Sequence, residues 1–151
     1  MNVLAIGAHP DDVEIACSGT LAKCVKRGDK VIVCHASTGN LGHVVIPPDE
    51  LTKIRAEEAK KAGGLAGIEV IGGMFDDLNI FDGNKAARDK LVDVIKYAQP
   101  DFIITHNPDD YMPDHTAVSR LVFDASFAAT LPNYKSRYEK AAALVPIYYM
   151  D

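Results

Sequence analysis

The chain has no closely spaced cysteine pair. Its three cysteines, Cys17, Cys24 and Cys34, are odd in number and none stands in a CxxC spacing. That pattern argues against a disulfide framework or a cysteine metal site, and leaves reduced thiols in the cytoplasm as the expectation. Positive charge is not in excess either. Lys and Arg number 16 against 21 Asp and Glu, a formal net charge of -5, so nucleic acid and anionic membrane are poor partners. No apolar run approaches the roughly 18 residues of a membrane-spanning helix. A basic leader is also missing ahead of the first apolar run, which argues against secretion. There is no internal repeat, low-complexity tract or linker, so residues 1–151 read as a single domain.

What the sequence does contain is a regular alternation. Apolar, β-branched runs stand at "VLAIG" (3–7), "KVIVCHA" (30–36), "IEVIGG" (68–73), "DFIITH" (101–106) and "AALVPIYYM" (142–150). Nearly continuous apolarity is the mark of parallel strands covered on both faces. Helical patterns lie between them. "GTLAKCVKRG" (19–28) ends on Gly28, "DELTKIRAEEAKKAGG" (49–64) follows a Pro pair and stops at paired glycines, and "NKAARDKLVDVIKYA" (84–98) ends before Pro100. "HTAVSRLVFDASFAA" (115–129) carries Val118, Leu121, Val122 and Ala125 on one stripe. Alternating strand and helix predict a three-layer α/β fold with a mainly parallel sheet. In such folds ligands bind beyond the carboxyl ends of the strands, where this chain collects its polar residues.

The first such collection is "AHPDD". His9 and Asp12 are three apart, a spacing that turns both side chains to one side of a helical first turn, while Asp11 points elsewhere. Pro10 stiffens the turn. The competing reading is a helix cap, with an Asp accepting the orphan amides of the next helix. The second collection, "THNPDDYMPDHTAVSR" (105–120), also ends a strand and opens a helix, and offers His106, Asp109, Asp110, Asp114 and His115. Together the two loops supply the two-histidine, one-carboxylate set of an open catalytic metal site, typically for zinc. Asp114, beside His115, is placed to orient a ligand imidazole.

"AHPDDVEIACSGTLAK" and "PDHTAVSR" resemble the LmbE-like, or PIG-L, family of zinc-dependent deacetylases, and the likeness runs through nearly the whole chain. The resemblance implies a Rossmann-like parallel sheet and a metal-dependent hydrolase removing an N-acetyl group from an amino-sugar-type substrate. It implies His9, Asp12 and His115 as ligands of Zn2+ or another divalent ion, Asp11 as general base and Asp114 as the family's supporting aspartate. Arg55, in "RAEEA", looks like the family's substrate-facing arginine. From the residues alone, Arg55 and Glu58 interrupt an otherwise apolar helix face and read equally as a structural ion pair. Asp77 stands where relatives read Pro-Asp-Gly, with Asp76 for the proline and Leu78 for the glycine, and is the second substrate-binding candidate. Gly39 and Gly42, in "STGNLGH", read as flexible-loop glycines or as a close backbone approach to ligand. A small N-acetylated sugar or conjugate is the implied partner, and relatives assemble into trimers or hexamers, which implies a homo-oligomer.

Two departures stand out. Met112 replaces a family histidine implied to stabilise the oxyanion or act as acid, a task methionine cannot perform, so either the metal alone polarises the carbonyl, or Tyr111 or His106 substitutes, or activity is reduced. The chain is also shorter than the family, which continues through a further strand and helix. Two other readings stay open. One is a phosphoesterase with a second ion held by Asp109 and Asp110, the other a metal- or sugar-binding module that has lost catalysis.

Overall fold

The computed structural model describes residues 1–150. Along them run β1 (Asn2–Gly7), α1 (Asp12–Arg27), β2 (Lys30–Ser37), α2 (Pro48–Ala66), β3 (Glu69–Phe75), α3 (Lys85–Ala98), β4 (Phe102–His106), α4 (Pro113–Ala129) and β5 (Ile147–Met150). The sheet order is β3-β2-β1-β4-β5, with every pairing parallel. The expected α/β architecture is thus present, with all five strands parallel.

Period-2 alternation sends the strand side chains to two separate cores. Leu4, Ile6, Ile32, Cys34 and Ile103 pack with Leu91, Ile95, Val118, Leu121 and Val122 of α3 and α4. Val3, Ala5, Val31, Val33 and Ile104 face Val13, Cys17, Leu21 and Cys24 of α1. Each large aliphatic chain so buried contributes roughly 1.5–3 kcal/mol. Three layers follow from this pattern.

Several boundaries differ from those the sequence suggests. Helix α1 begins at Asp12, well before residue 19, because Val13 and Cys17 extend the buried stripe of Leu21 and Cys24 to the N-terminal turn. Helix α2 runs through Gly63 and Gly64 to Ala66 and closes at Gly67, whose φ is +69°. Gly63 is there for contact: a Cβ on it would lie 2.4 Å from Val70 Cγ2 and 2.8 Å from the Ile68 carbonyl oxygen, so only a bare backbone lets α2 seat on β3. Strand β5 is confined to Ile147–Met150, since Pro146 has no N–H and only its carbonyl joins the sheet, accepting from Ile103 N at 3.0 Å.

From β1 the chain steps outward through β2 and β3, then crosses back to β4 on β1's other flank. The loops leaving β1 and β4 therefore diverge and open a crevice at the carboxyl edge.

Candidate metal centre

The turn after β1 opens α1 with His9, Asp11 and Asp12, and β4 ends at His106, four residues before Asp110 and on the approach to α4. Pro113 occupies the first turn of α4, which places Asp114 and His115 in that turn as well. His9, Asp12 and His115 each offer one ligand atom, and the three atoms lie within 4.8 Å of one another.

The two imidazoles are built alike. His9 turns Nδ1 towards Asp12 Oδ2 at 3.4 Å, while its Nε2 lies 3.1 Å from Asp114 Oδ2. His115 turns Nε2 towards Asp12 Oδ1 at 3.3 Å, while its Nδ1 lies 3.0 Å from Asp110 Oδ2. In each ring one nitrogen meets an outer carboxylate, which fixes the tautomer and leaves the other nitrogen's lone pair facing Asp12. Asp114 thus orients His9, not the neighbouring His115, and also accepts Leu78 N–H at 2.8 Å. Asp110 is the residue that orients His115. Sequence reading offered it as a spare carboxylate; the doublet preceding "PDH" in the same loop is the signal that points to it.

His115 Nε2 is buried yet makes no hydrogen bond among the described residues. An imidazole nitrogen and a carboxylate oxygen facing each other in this way are the ligand types a divalent cation takes. The residues present therefore fit a metal.

Electrostatics agree. Burial opposes charge on His9, but the Asp12 and Asp114 carboxylates outweigh it and raise its pKa to about 9. For His115 burial also opposes charge, and Asp12 and Asp110 raise it in net. Burial would raise Asp12, yet the surrounding histidines hold it far below the carboxylate range.

His106 was offered by the sequence as a stand-in for the family histidine. It is buried, stacked on His115 with ring centroids 3.8 Å apart, and its Nε2 accepts Ala8 N–H at 2.9 Å. The same nitrogen lies 3.1 Å from Asp12 Oδ2, so His106 Nε2 faces both the Ala8 amide and the Asp12 carboxylate. His106 supports the ligands from behind. Tyr111 is 88% exposed and meets His115 edge-on at 6.2 Å, so of the two proposed substitutes neither lines the cavity, whereas Met112 does.

That cavity, about 600 Å³, opens beside the cluster and includes His9, Asp11, Asp12, Arg55 and Asp77. Asp77 is buried and its carboxylate is fully engaged, accepting from Ser37 Oγ and Gly39 N at 2.8 Å and from Leu41 N at 2.9 Å. It clamps the loop after β2 to the loop after β3. Gly39, at φ +72°, sits where a Cβ would meet Pro10 Cδ at 3.0 Å, so the clamped loop lies directly on "AHPDD". His43, which sequence reading passed over, also lines the cavity. Its Nδ1 accepts Val45 N–H and Ile46 N–H, so the ring proton belongs on Nε2.

Asp11 stands at the N-cap of α1 but makes no side-chain cap. The capping alternative fails for it. Its Oδ2 accepts instead from Arg55 Nη2 at 2.9 Å. Arg55 also donates through Nη1 to Glu58 Oε2 at 2.9 Å, so the expected ion pair on α2 is present.

Fold and site together define an α/β protein whose parallel sheet carries, at its carboxyl edge, a two-histidine, one-aspartate cluster able to hold a cation. The chain belongs to the PIG-L family, described as GlcNAc-PI de-N-acetylase, whose pattern it matches over residues 4–126. It is 31% identical over 140 residues to a 1D-myo-inositol 2-acetamido-2-deoxy-alpha-D-glucopyranoside deacetylase of Corynebacterium diphtheriae, covering 74% of this chain and 47% of that protein. It is 26% identical over 154 residues to a 4-oxalmesaconate hydratase of Pseudomonas putida, covering 97% and 59%. The structure superposes on N,N'-diacetylchitobiose deacetylase of Pyrococcus horikoshii with a TM-score of 0.81 and 27% identity, covering 87% and 51% of the two chains. This chain thus spans about half to three-fifths of these relatives.

Proposed function

We propose that this chain is a metal-dependent N-deacetylase acting on an acetylated amino sugar or its conjugate, with His9, Asp12 and His115 as ligands and zinc as the ion. The observation that carries this reading is the buried, unpartnered His115 Nε2 facing Asp12 across a gap that His9 Nδ1 also faces. Likeness to two deacetylases of N-acetylated sugars supports the substrate class.

A bound divalent cation supplies Lewis acidity, polarising the acyl carbonyl and making water acidic enough to attack near neutral pH. Asp11 takes the proton from the attacking water as its oxygen bonds to the acetyl carbon. The C–N bond then breaks, and the carboxylic acid returns that proton to the leaving nitrogen, giving acetate and a free amine. Asp114 and Asp110 hold His9 and His115 in their ligating tautomers, and an outer carboxylate of this kind is worth 10–100-fold in metal affinity. Asp77 fixes the loop that forms one wall for the sugar.

The test is elemental analysis beside acetate release from N-acetylglucosamine conjugates, for wild type and His115→Ala. About one zinc per chain with acetate released, and both lost in the variant, is the expected result. The likeness to a hydratase favours a second reading, water addition to an unsaturated oxo-acid at the same centre. Hydration of such an acid with no acetate from any acetylated sugar would select it.

A further inference from the structure

An aspartate at a helix N-cap ordinarily accepts a backbone N–H of the second or third helical residue, and that cap is worth about 1 kcal/mol. Asp11 occupies this position in α1 and forgoes the bond. Its carboxylate is 52% exposed and turned to the Arg55 guanidinium, whose own side chain is only 24% exposed. Arg55 is itself restrained twice more, donating to the Pro10 carbonyl and to Glu58. Its Cγ lies 3.4 Å from the place a Gly39 Cβ would take, so the stem runs along the clamped glycine loop. Three of its five N–H groups thus go to this chain's own acceptors, two of them on consecutive residues of "AHPDD".

We infer that Arg55 is a positioning residue: it draws Asp11 out of the capping position and aims its carboxylate into the cavity, with Glu58 steadying Arg55 from behind. Anchoring the substrate is then not its principal task. The inference rests on Asp11 acting as the base in the deacetylase reading. Its geometric half does not need that reading, because a freed Asp11 falls back onto the amides of Val13 and Glu14.

The experiment compares wild type, Arg55→Ala, Arg55→Lys, Asp11→Asn and the double variant Asp11→Asn/Arg55→Ala, each with its metal content measured. Loss of aim costs on the order of 10²-fold in kcat. Arg55→Ala should show that loss with KM little changed, partial recovery in added guanidinium, and almost no further loss in the Asp11→Asn background. Arg55→Lys should lie between, since an ammonium cannot hold Pro10, Asp11 and Glu58 in one plane. Amide exchange at Val13 and Glu14 should slow in Arg55→Ala as Asp11 caps the helix. A raised KM with kcat intact would mean that Arg55 anchors substrate, and a loss multiplying that of Asp11→Asn would mean that it acts independently; either overturns the inference. If wild type releases no acetate, the deacetylase reading fails alone, and unchanged exchange at Val13 and Glu14 then overturns the geometric claim by itself.

Discussion

Leu78 shows how one side chain can store strain beside a site. Its φ is +61°, the left-handed region, at the place where the family's Pro-Asp-Gly would put glycine. A non-glycine residue there costs roughly 1–2 kcal/mol. Its side chain is 64% exposed, so little packing offsets that cost, while its N–H holds Asp114. Leu78→Gly should therefore raise the unfolding free energy by about 1 kcal/mol in urea melts, leaving the amide bond to Asp114 in place. Asp114→Asn is the complementary change. It should keep the fold and weaken zinc binding about 10–100-fold in a competition titration with a chromophoric chelator, because His9 loses the carboxylate that sets its tautomer. Cysteine chemistry is decided at the same scale. Burial pushes Cys34 up to about 12 and Cys17 to about 11. An unfolded thiol titrates near 8.5, so stability from these groups is complete below that pH and is lost as pH climbs towards 12. Urea midpoints should decline above about pH 9, and less steeply in Cys34→Ala; a parallel decline in both proteins would assign the effect elsewhere.

Among the elements, the seating of α2 on β3 gives a matched pair of tests. Gly63→Ala forces Val70 and the Ile68 carbonyl away from the helix and should cost about 1–3 kcal/mol. Its neighbour Gly64 has nothing within 4 Å of the same added atom, so Gly64→Ala should stabilise by about 0.5–1 kcal/mol through helix propensity. Thermal melts of the two variants should therefore move in opposite directions. The same helix shows what the sequence could and could not convey. Its glycine pair reads locally as a stop, and only the approach of β3, invisible to a local pattern, explains why the helix runs on. Strand runs were legible because double-sided burial leaves a continuous apolar run, and the stripe of Val118, Leu121, Val122 and Ala125 was legible because all four are fully buried. The beginning of α1 was hidden because Cys17 and the small residues around it hardly register as an apolar face. At the site, residue identity pointed to the candidate ligands, but which carboxylate meets which imidazole depends on loop geometry, Asp114 lying against His9 and Asp110 against His115.

At the scale of the whole molecule, the proposed cation site joins the start of α1 to the start of α4. A metal that binds only the folded chain stabilises it by about 2.7 kcal/mol at a hundredfold excess over Kd. Chelation should lower the melting temperature of wild type by several degrees and leave that of His115→Ala unchanged. The sheet order extends this point. His9 and Asp12 leave β1 and His115 follows β4, adjacent strands that the chain visits on either side of its excursion through β2 and β3. Severed near Gly67, between α2 and β3, the chain would yield one fragment carrying two of the proposed ligands and another carrying the third, neither of which can form the site alone. Tight zinc uptake by the mixed fragments would then report that β4 has found β1, making the ion a built-in sensor of reassembly.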